Sequence, residues 1–131
     1  MLHYQNLKKK QSRPYKVLII SLNSILFAIP FRSNISHPHV FWTDKANKCG
    51  LDFSKAVAIS NPVKYIDNVS TVQIRQNEFN NIKGKDHLIK QQFESYVQKY
   101  ILAYKNQHIP RNATLCKYST LQYFHFEIGL I

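Results

Sequence analysis

The sequence predicts an α+β domain in which the strands come first and the helices follow. Short runs rich in β-branched and aromatic residues fill the chain before residue 75, and apolar residues recur at three- and four-residue steps after it. A chain of 131 residues, 44% of them hydrophobic, is large enough for a buried core. We therefore treat 1–131 as a single domain without internal repeats. It consists of a basic lead-in (1–14), a part that is mainly strands (15–74) and a part that is mainly helical (75–131).

The first two strands are predicted to form a hairpin. Residues 15–22 and 25–31 are apolar almost throughout, and Asn23 and Ser24 between them tolerate turn conformations. Strands that are apolar on both faces are typical of the centre of a sheet. Two further strands are predicted at 53–60 and 69–74.

The segment between the hairpin and the third strand, 32–51, is predicted to be a long polar loop. Loops of this length inside a compact domain are usually functional or disordered. This one is dense in side chains that can bind or help to cleave a phosphodiester, namely Arg32, Ser33, Asn34, His37, His39, Trp42, Thr43, Lys45 and Lys48.

The helical part is predicted to contain a short helix at 79–84 and a long one at 85–106, where the apolar residues follow the helical repeat. A connection around Pro110 follows. Ser119 and Gln122 have the spacing of a capping box, which predicts a terminal helix over 119–128.

The net charge of +11 is the most unusual number in the composition, and it predicts a polyanionic partner such as RNA or DNA. An anionic membrane surface is the other candidate. However, the apolar run 17–31 is interrupted by polar residues and is shorter than the ~20 residues that a transmembrane helix needs. Cys49 and Cys116 lack the spacing of a zinc site and are expected to be reduced thiols. These features predict a cytoplasmic protein with no membrane association.

The sequence favours chemistry without a metal or another cofactor. It has no phosphate-binding glycine loop, and its seven acidic residues are dispersed, whereas a two-metal nuclease needs clustered carboxylates. A metal-free ribonuclease needs a proton acceptor, a proton donor, cations for the phosphate and hydroxyls that position it. The side chains that could fill these roles are Arg32, Ser33, His37, His39, Thr43 and Lys55.

Each of these residues also has a purely structural interpretation. Ser33-Asn34 can be a turn in which Asn34 is left-handed, His37 and His39 can lie in an exposed loop, and Lys55 can be solvated. The alternative function is a non-catalytic basic RNA- or DNA-binding module, which needs no acid–base pair. A membrane-surface protein is a third class, but the helix at 85–106 is not strongly basic.

Three separated blocks carry a resemblance to a known family. They are FAIPFRSNISH at 27–37, GLDFSKAV at 50–57 and STLQYFHFEIGL at 119–130. In this order and at this spacing they resemble the TenpN toxins of type III toxin–antitoxin systems, which are endoribonucleases related to ToxN and AbiQ. The three blocks reach from the middle of the first hairpin almost to the last residue, so the resemblance covers most of the chain.

The resemblance implies a partly open, β-barrel-like antiparallel sheet similar to that of the Kid/MazF toxins, with C-terminal helices packed on it. It implies a metal-independent endoribonuclease that leaves a 2′,3′-cyclic phosphate and a 5′-OH. The expected partners are cellular or phage RNA as substrate and an RNA antitoxin of pseudoknot repeats, which the toxin processes and which inhibits it. Such toxins form RNA-bridged hetero-oligomers in the bacterial cytoplasm, and abortive infection of phage-infected cells is an expected role.

The resemblance transfers only in part to individual residues. Ser33 matches an active-site serine of the family, but the family's lysine position is Ile35 here. We expect Arg32, His37 or Lys55 to supply the missing charge, so that the predicted catalytic set is Ser33, Arg32, His37 and Lys55. Arg13 lies where the family has a basic active-site residue. The predicted RNA-binding set is Arg13, Asn34, His39, Thr43, Lys45 and Lys48.

Overall fold

The computed structural model describes residues 3–8, 14–59, 66–71 and 82–131. Its sheet is open, antiparallel and strongly curled into a half-barrel, and two C-terminal helices pack against it. The predicted α+β class and half-open barrel are confirmed. The strands are β1 (His3–Lys8), β2 (Pro14–Leu22), β3 (Ile25–Arg32), β4 (Val40–Asp44), β5 (Cys49–Asp52), β6 (Val57–Ile59) and β7 (Ile66–Thr71), and the helices are α1 (Asp86–Lys105) and α2 (Pro110–Tyr118).

The predicted hairpin forms the centre of the sheet. β2 and β3 pair in register from Leu22 opposite Ile25, and the turn residues Asn23 and Ser24 have φ of 52° and 66°. Two consecutive residues with positive φ are typical of a hairpin turn whose twist matches that of its strands. Val17 and Leu18, which point to opposite faces, are both buried, which confirms the prediction of a strand covered on both faces.

β3 has two partners along the edge that does not face β2. Its first half pairs with β6, and its last two residues, Phe31 and Arg32, pair with β5. The strand order is β4-β5-β3-β2-β1-β7, with β6 also on β3. The main core lies between the sheet and α1, where Phe93 meets Phe27 edge to face at 5.2 Å between ring centroids. The middle of β3 is therefore buried in the core, and Arg32 at the end of the strand is exposed at the protein surface.

Several local predictions are wrong. The segment 32–51 is not one long loop, because β4 and β5 form a hairpin within it, and the basic lead-in contains β1. The predicted strand at 53–60 begins as a 3₁₀ turn (Phe53–Lys55), and only Val57–Ile59 is extended. The strand predicted at 69–74 is observed as β7, which begins and ends three residues earlier. Most of the short helix at 79–84, and residues 72–74, lie outside the described residues.

The C-terminal prediction fails for identifiable reasons. The connection around Pro110 contains α2, in which Pro110 occupies the first turn, a position that needs no N–H donor. Ser119 accepts a hydrogen bond from Leu121 N as a cap residue does, but Gln122 donates to the carbonyls of Lys117 and Ser119. The reciprocal half of the capping box is therefore missing, and the terminal helix shortens to a 3₁₀ turn (Thr120–Tyr123).

Candidate active site

A fully buried carboxylate, Asp52, organises the candidate site. It ends β5 and caps the following 3₁₀ turn, where its Oδ1 accepts hydrogen bonds from Ser54 N at 3.0 Å and from Ser54 Oγ at 2.6 Å. Asp52 is 0% exposed, and a charge buried this deeply needs ionic or hydrogen-bonding partners. Its other oxygen, Oδ2, accepts from Arg32 Nη1 at 2.9 Å.

Sheet register brings Arg32 and Asp52 together. Arg32 is the last residue of β3 and pairs with Gly50, which precedes Asp52 by two residues on β5. A side chain on Gly50 would meet Phe41 O at 2.5 Å, so only glycine allows β4 to pack this closely against β5. The ion pair therefore depends on the β3–β5 pairing, which the sequence pattern does not predict.

His37 is oriented on both sides of its ring. Its Nδ1 accepts a hydrogen bond from the backbone N–H of His39 at 3.1 Å, so the proton of the neutral ring lies on Nε2. Nε2 lies 3.1 Å from Asp52 Oδ1 and 3.2 Å from Ser54 Oγ. The ring also stacks on that of His39, with the centroids 5.5 Å apart. The turn at 37–39 thus holds the two imidazoles side by side.

The cluster differs from a serine-nucleophile triad. In such a triad the carboxylate and the serine contact opposite nitrogens of the histidine. Here Asp52 and Ser54 both face Nε2 of His37, and the Ser54 hydroxyl donates a hydrogen bond to Asp52 Oδ1. Ser54 is also buried. The arrangement does not activate Ser54 for covalent catalysis.

A cleft of about 340 Å³ opens beside this cluster. One wall comes from β3, the 37–39 turn and the 3₁₀ turn after Asp52, and the other from one face of α2. Arg32 is 47% exposed at the side chain, and exposed Arg111 lies in the first turn of α2, where the helix dipole is also positive. The lining residues are Arg32, His37, His39, Ser54, Lys55, Arg111, Thr114, Leu115, Tyr118 and Ser119.

The segment after α2 fastens the 3₁₀ turn of Ser54 and Lys55. Thr120 Oγ1 donates to the carbonyl of Ser54 at 3.2 Å and also contacts that of Ala56. Lys55 Nζ donates to the carbonyl of Tyr118 at 3.2 Å. These bonds join parts of the chain more than 60 residues apart, so the C-terminal segment fixes the cleft wall that carries Lys55.

His39 is the imidazole best suited to accept a proton. Burial lowers its pKa from the usual 6.5, and nearby Lys99 and His37 lower it further, against an opposing effect of Asp52. His39 is therefore neutral near pH 7. Among the described residues neither of its ring nitrogens has a hydrogen-bond partner, and the ring borders the cleft.

Of the predicted catalytic residues, Arg32, His37 and Lys55 lie together at the cleft, and so does His39 from the predicted RNA-binding set. Ser33 follows Arg32 in the exposed bend after β3, outside the lining of the cleft, and its role stays a prediction. Ile35, at the family's lysine position, is a buried core residue.

The other predicted RNA-binding residues are spread more widely. Asn34 is exposed with a φ of 57°, which confirms the left-handed turn interpretation. Thr43 is buried, whereas Lys45 and Lys48 are exposed around the 3₁₀ turn between β4 and β5. Arg13 lies outside the described residues.

Sequence reasoning missed several residues that build the site. Asp52 and Ser54 form a local Asp-x-Ser turn, a pattern visible in the sequence because Asp side chains often bond the backbone two residues on. Arg111 and Tyr118 gave no such signal, since their place at the cleft depends on how α2 packs.

In the part of the chain that the structure describes, there is no cluster of three or more His, Cys, Asp or Glu side chains able to hold a metal ion. Nor does any helix among these residues have the length and apolar character needed to cross a membrane.

Comparison with known proteins identifies no family for this chain. No protein-family model matches the chain, and neither a curated protein nor a solved structure matches it. The resemblance to TenpN toxins therefore stays a prediction carried by the three blocks of sequence.

Proposed function

We propose that this chain is a metal-independent endoribonuclease, the toxin of a type III toxin–antitoxin system. One observation carries the proposal: buried Asp52 holds His37 beside a second histidine, His39, at the wall of a cleft with a cationic rim. An acid–base pair next to phosphate-binding cations is what RNA transesterification needs.

The cations can bind phosphate while they keep their structural bonds. Arg32 uses Nη1 on Asp52, and the guanidinium has further N–H groups for a phosphate oxygen. Lys55 uses one of its three N–H donors on Tyr118 O. Arg111 lies across the cleft on α2. The charge of +11 adds a general attraction for RNA.

The proposed reaction uses the substrate's own 2′-OH as nucleophile. His39 accepts the proton of the 2′-OH while the 2′-oxygen bonds to phosphorus. The bond from phosphorus to the 5′-oxygen breaks. In the substrate complex His37 is protonated on both ring nitrogens, with the Nδ1 proton replacing the hydrogen bond from His39 N–H, and it donates the Nε2 proton to the leaving oxygen and becomes neutral. The products are a 2′,3′-cyclic phosphate and a 5′-OH. In this scheme Asp52 balances the charge of protonated His37, and Ser33 hydrogen-bonds a phosphate oxygen next to Arg32, as the resemblance implies.

The biological setting follows from the resemblance alone. The chain would act in the bacterial cytoplasm on cellular or phage RNA, with abortive infection as one outcome. Its antitoxin would be an RNA of pseudoknot repeats that the protein cuts from a precursor and then binds, giving an RNA-bridged hetero-oligomer.

The test is to incubate the purified chain with mixed RNA in EDTA and to identify the product ends by mass spectrometry. Wild-type protein and Lys90→Ala, which removes an exposed charge on α1 outside the cleft, should cleave RNA to 2′,3′-cyclic phosphate ends. Arg32→Ala should cleave at least tenfold more slowly. Activity that requires added magnesium would overturn the proposal. RNA binding without any cleavage would leave the chain as a basic RNA-binding module.

A further inference from the structure

The cleft carries an exposed aromatic side chain that the reaction does not use. Tyr118, the last residue of α2, is 61% exposed, although exposing a ring to water is unfavourable. It lines the same cleft as Arg32, His37 and Lys55. Tyr123 is 74% exposed but is not among the residues that line this cleft. Tyr118, in contrast, is both exposed and part of the cleft.

The backbone of Tyr118 is fixed relative to the reacting groups. Its carbonyl accepts the hydrogen bond from Lys55 Nζ at 3.2 Å. The next residue, Ser119, is buried and its hydroxyl accepts from Tyr96 OH at 2.7 Å. The ring therefore projects from a backbone that hydrogen bonds hold beside the reacting groups.

The ring lies among cationic and apolar side chains of α2. Arg111, Thr114, Leu115 and Tyr118 follow the spacing of one helix face and all line the cleft. Lys117 Nζ lies over one face of the Tyr118 ring, 5.5 Å from its centroid, which leaves the opposite face for a base. A planar apolar surface between cations suits a base stacked on the ring with its phosphates on the neighbouring charges.

We infer that Tyr118 is a base-stacking position for a nucleotide next to the scissile phosphate. The inference deepens the proposed ribonuclease function and rests on it. Stacking on an aromatic ring is tolerant of sequence because every base has a π-face. Tyr118 should therefore favour chains that carry bases, with little choice among them.

The test uses two non-cleavable probes of equal charge. One is a 2′-fluoro adenylate decamer, which lacks the nucleophilic 2′-OH, and the other is a base-free sugar–phosphate chain of the same length. Tyr118→Ala should weaken binding of the adenylate by about 5- to 150-fold, as expected for loss of stacking with one base, and leave the base-free chain unaffected. Tyr118→Phe should bind like wild type, because the ring is retained. Tyr123→Ala is the matched control and should also bind normally.

Equal losses for both probes in Tyr118→Ala would overturn the inference, as would no loss for either or no binding by wild type. If Tyr118→Ala selectively loses binding of the adenylate but the wild-type protein cleaves no RNA, the stacking inference holds and the proposed ribonuclease function is refuted. Alanine leaves the Tyr118 carbonyl in place for Lys55, and the exposed position should change stability by no more than about 0.5 kcal/mol.

Discussion

Nε2 of His37 lies 3.1 Å from the buried Oδ1 of Asp52, and the backbone N–H of His39 holds the opposite ring nitrogen. The pair joins the turn after β3 to the end of β5. Asp52 is also the N-cap of the turn that carries Lys55. A single carboxylate thus fixes both the ring that we propose as proton donor and the segment that bears a cation of the cleft.

Asp52→Asn should destabilise the fold as well as slow cleavage. The amide loses the charge that faces Arg32 and an acceptor for one of its partners, and hydrogen bonds to charged groups contribute about 1.5–3 kcal/mol. Urea unfolding measures this loss. Asp44→Asn is the matched control, since Asp44 caps the other turn from a more exposed position and should cost less than about 1 kcal/mol. Equal losses for the two variants would contradict the role given to Asp52.

The lowered pKa of His39 predicts a pH dependence of stability. Unfolded His39 takes up a proton near pH 6.5, whereas the folded residue does so only at lower pH. Between these two values the unfolded state binds more protons, so stability should fall as the pH drops below 6.5. His39→Gln should remove this part of the slope in urea unfolding curves recorded from pH 7.5 to 5. An unchanged slope would show that other groups carry it.

The same shift predicts the acid limb of the activity profile. If neutral His39 is the base, kcat/KM should fall with a midpoint below pH 6.5. Lys99→Ala removes one cause of the shift, so its midpoint should move upward, towards 6.5. Lys90→Ala, another exposed lysine on α1, should leave the midpoint in place. If the midpoint moves equally in both variants, the overall positive charge of the protein, and not Lys99 in particular, lowers the pKa of His39.

Ser33→Ala tests the part of the site that rests on the resemblance. Loss of one hydroxyl that stabilises the transition state typically costs about 10²–10³ in rate. Because Ser33 is exposed, the fold should change by less than about 0.5 kcal/mol. Ser36→Ala, an exposed serine in the same segment, should cleave normally. Full activity of Ser33→Ala would remove Ser33 from the active site.

Arg111→Ala tests whether α2 contributes a phosphate contact. Each cation that displaces a counterion adds about one to the slope of log affinity against log salt concentration. Arg111→Ala should therefore reduce the slope for RNA by about one. Lys90→Ala, with the same charge removed outside the cleft, should leave it unchanged. Slopes that fall equally would place Arg111 in the general basic surface.

The fold class and the central hairpin could be predicted because the strand pattern and the turn residues are local in sequence. The β4–β5 hairpin is difficult to predict because its strands have only five and four residues and lie within a mainly polar segment, and its pairing with β3 depends on long-range register. At the site, the structure places Arg32, His37 and Lys55 of the predicted catalytic set at one cleft and Ser33 outside its lining, and their catalytic roles stay predictions. In the sequence, the carboxylate that holds Arg32 and His37 looks like one of several dispersed acids, since Arg32 and Asp52 are 20 positions apart and only the sheet pairing brings them together. The positions of Arg111 and Tyr118 depend on α2, which lies where the sequence predicts a connection.

The most direct test is to compare two RNA substrates in EDTA, one normal and one whose 5′-leaving oxygen is replaced by sulfur. A thiolate leaves without protonation, so it needs no general acid. If His37 donates the proton, His37→Ala should cleave the normal RNA about 10²–10⁴-fold more slowly than wild type but the sulfur-containing RNA at nearly the wild-type rate. His39→Ala should stay slow on both, because the 2′-OH still needs a base. Equal loss of His37→Ala activity on both substrates, or no cleavage of either by wild type, would contradict the proposed catalysis.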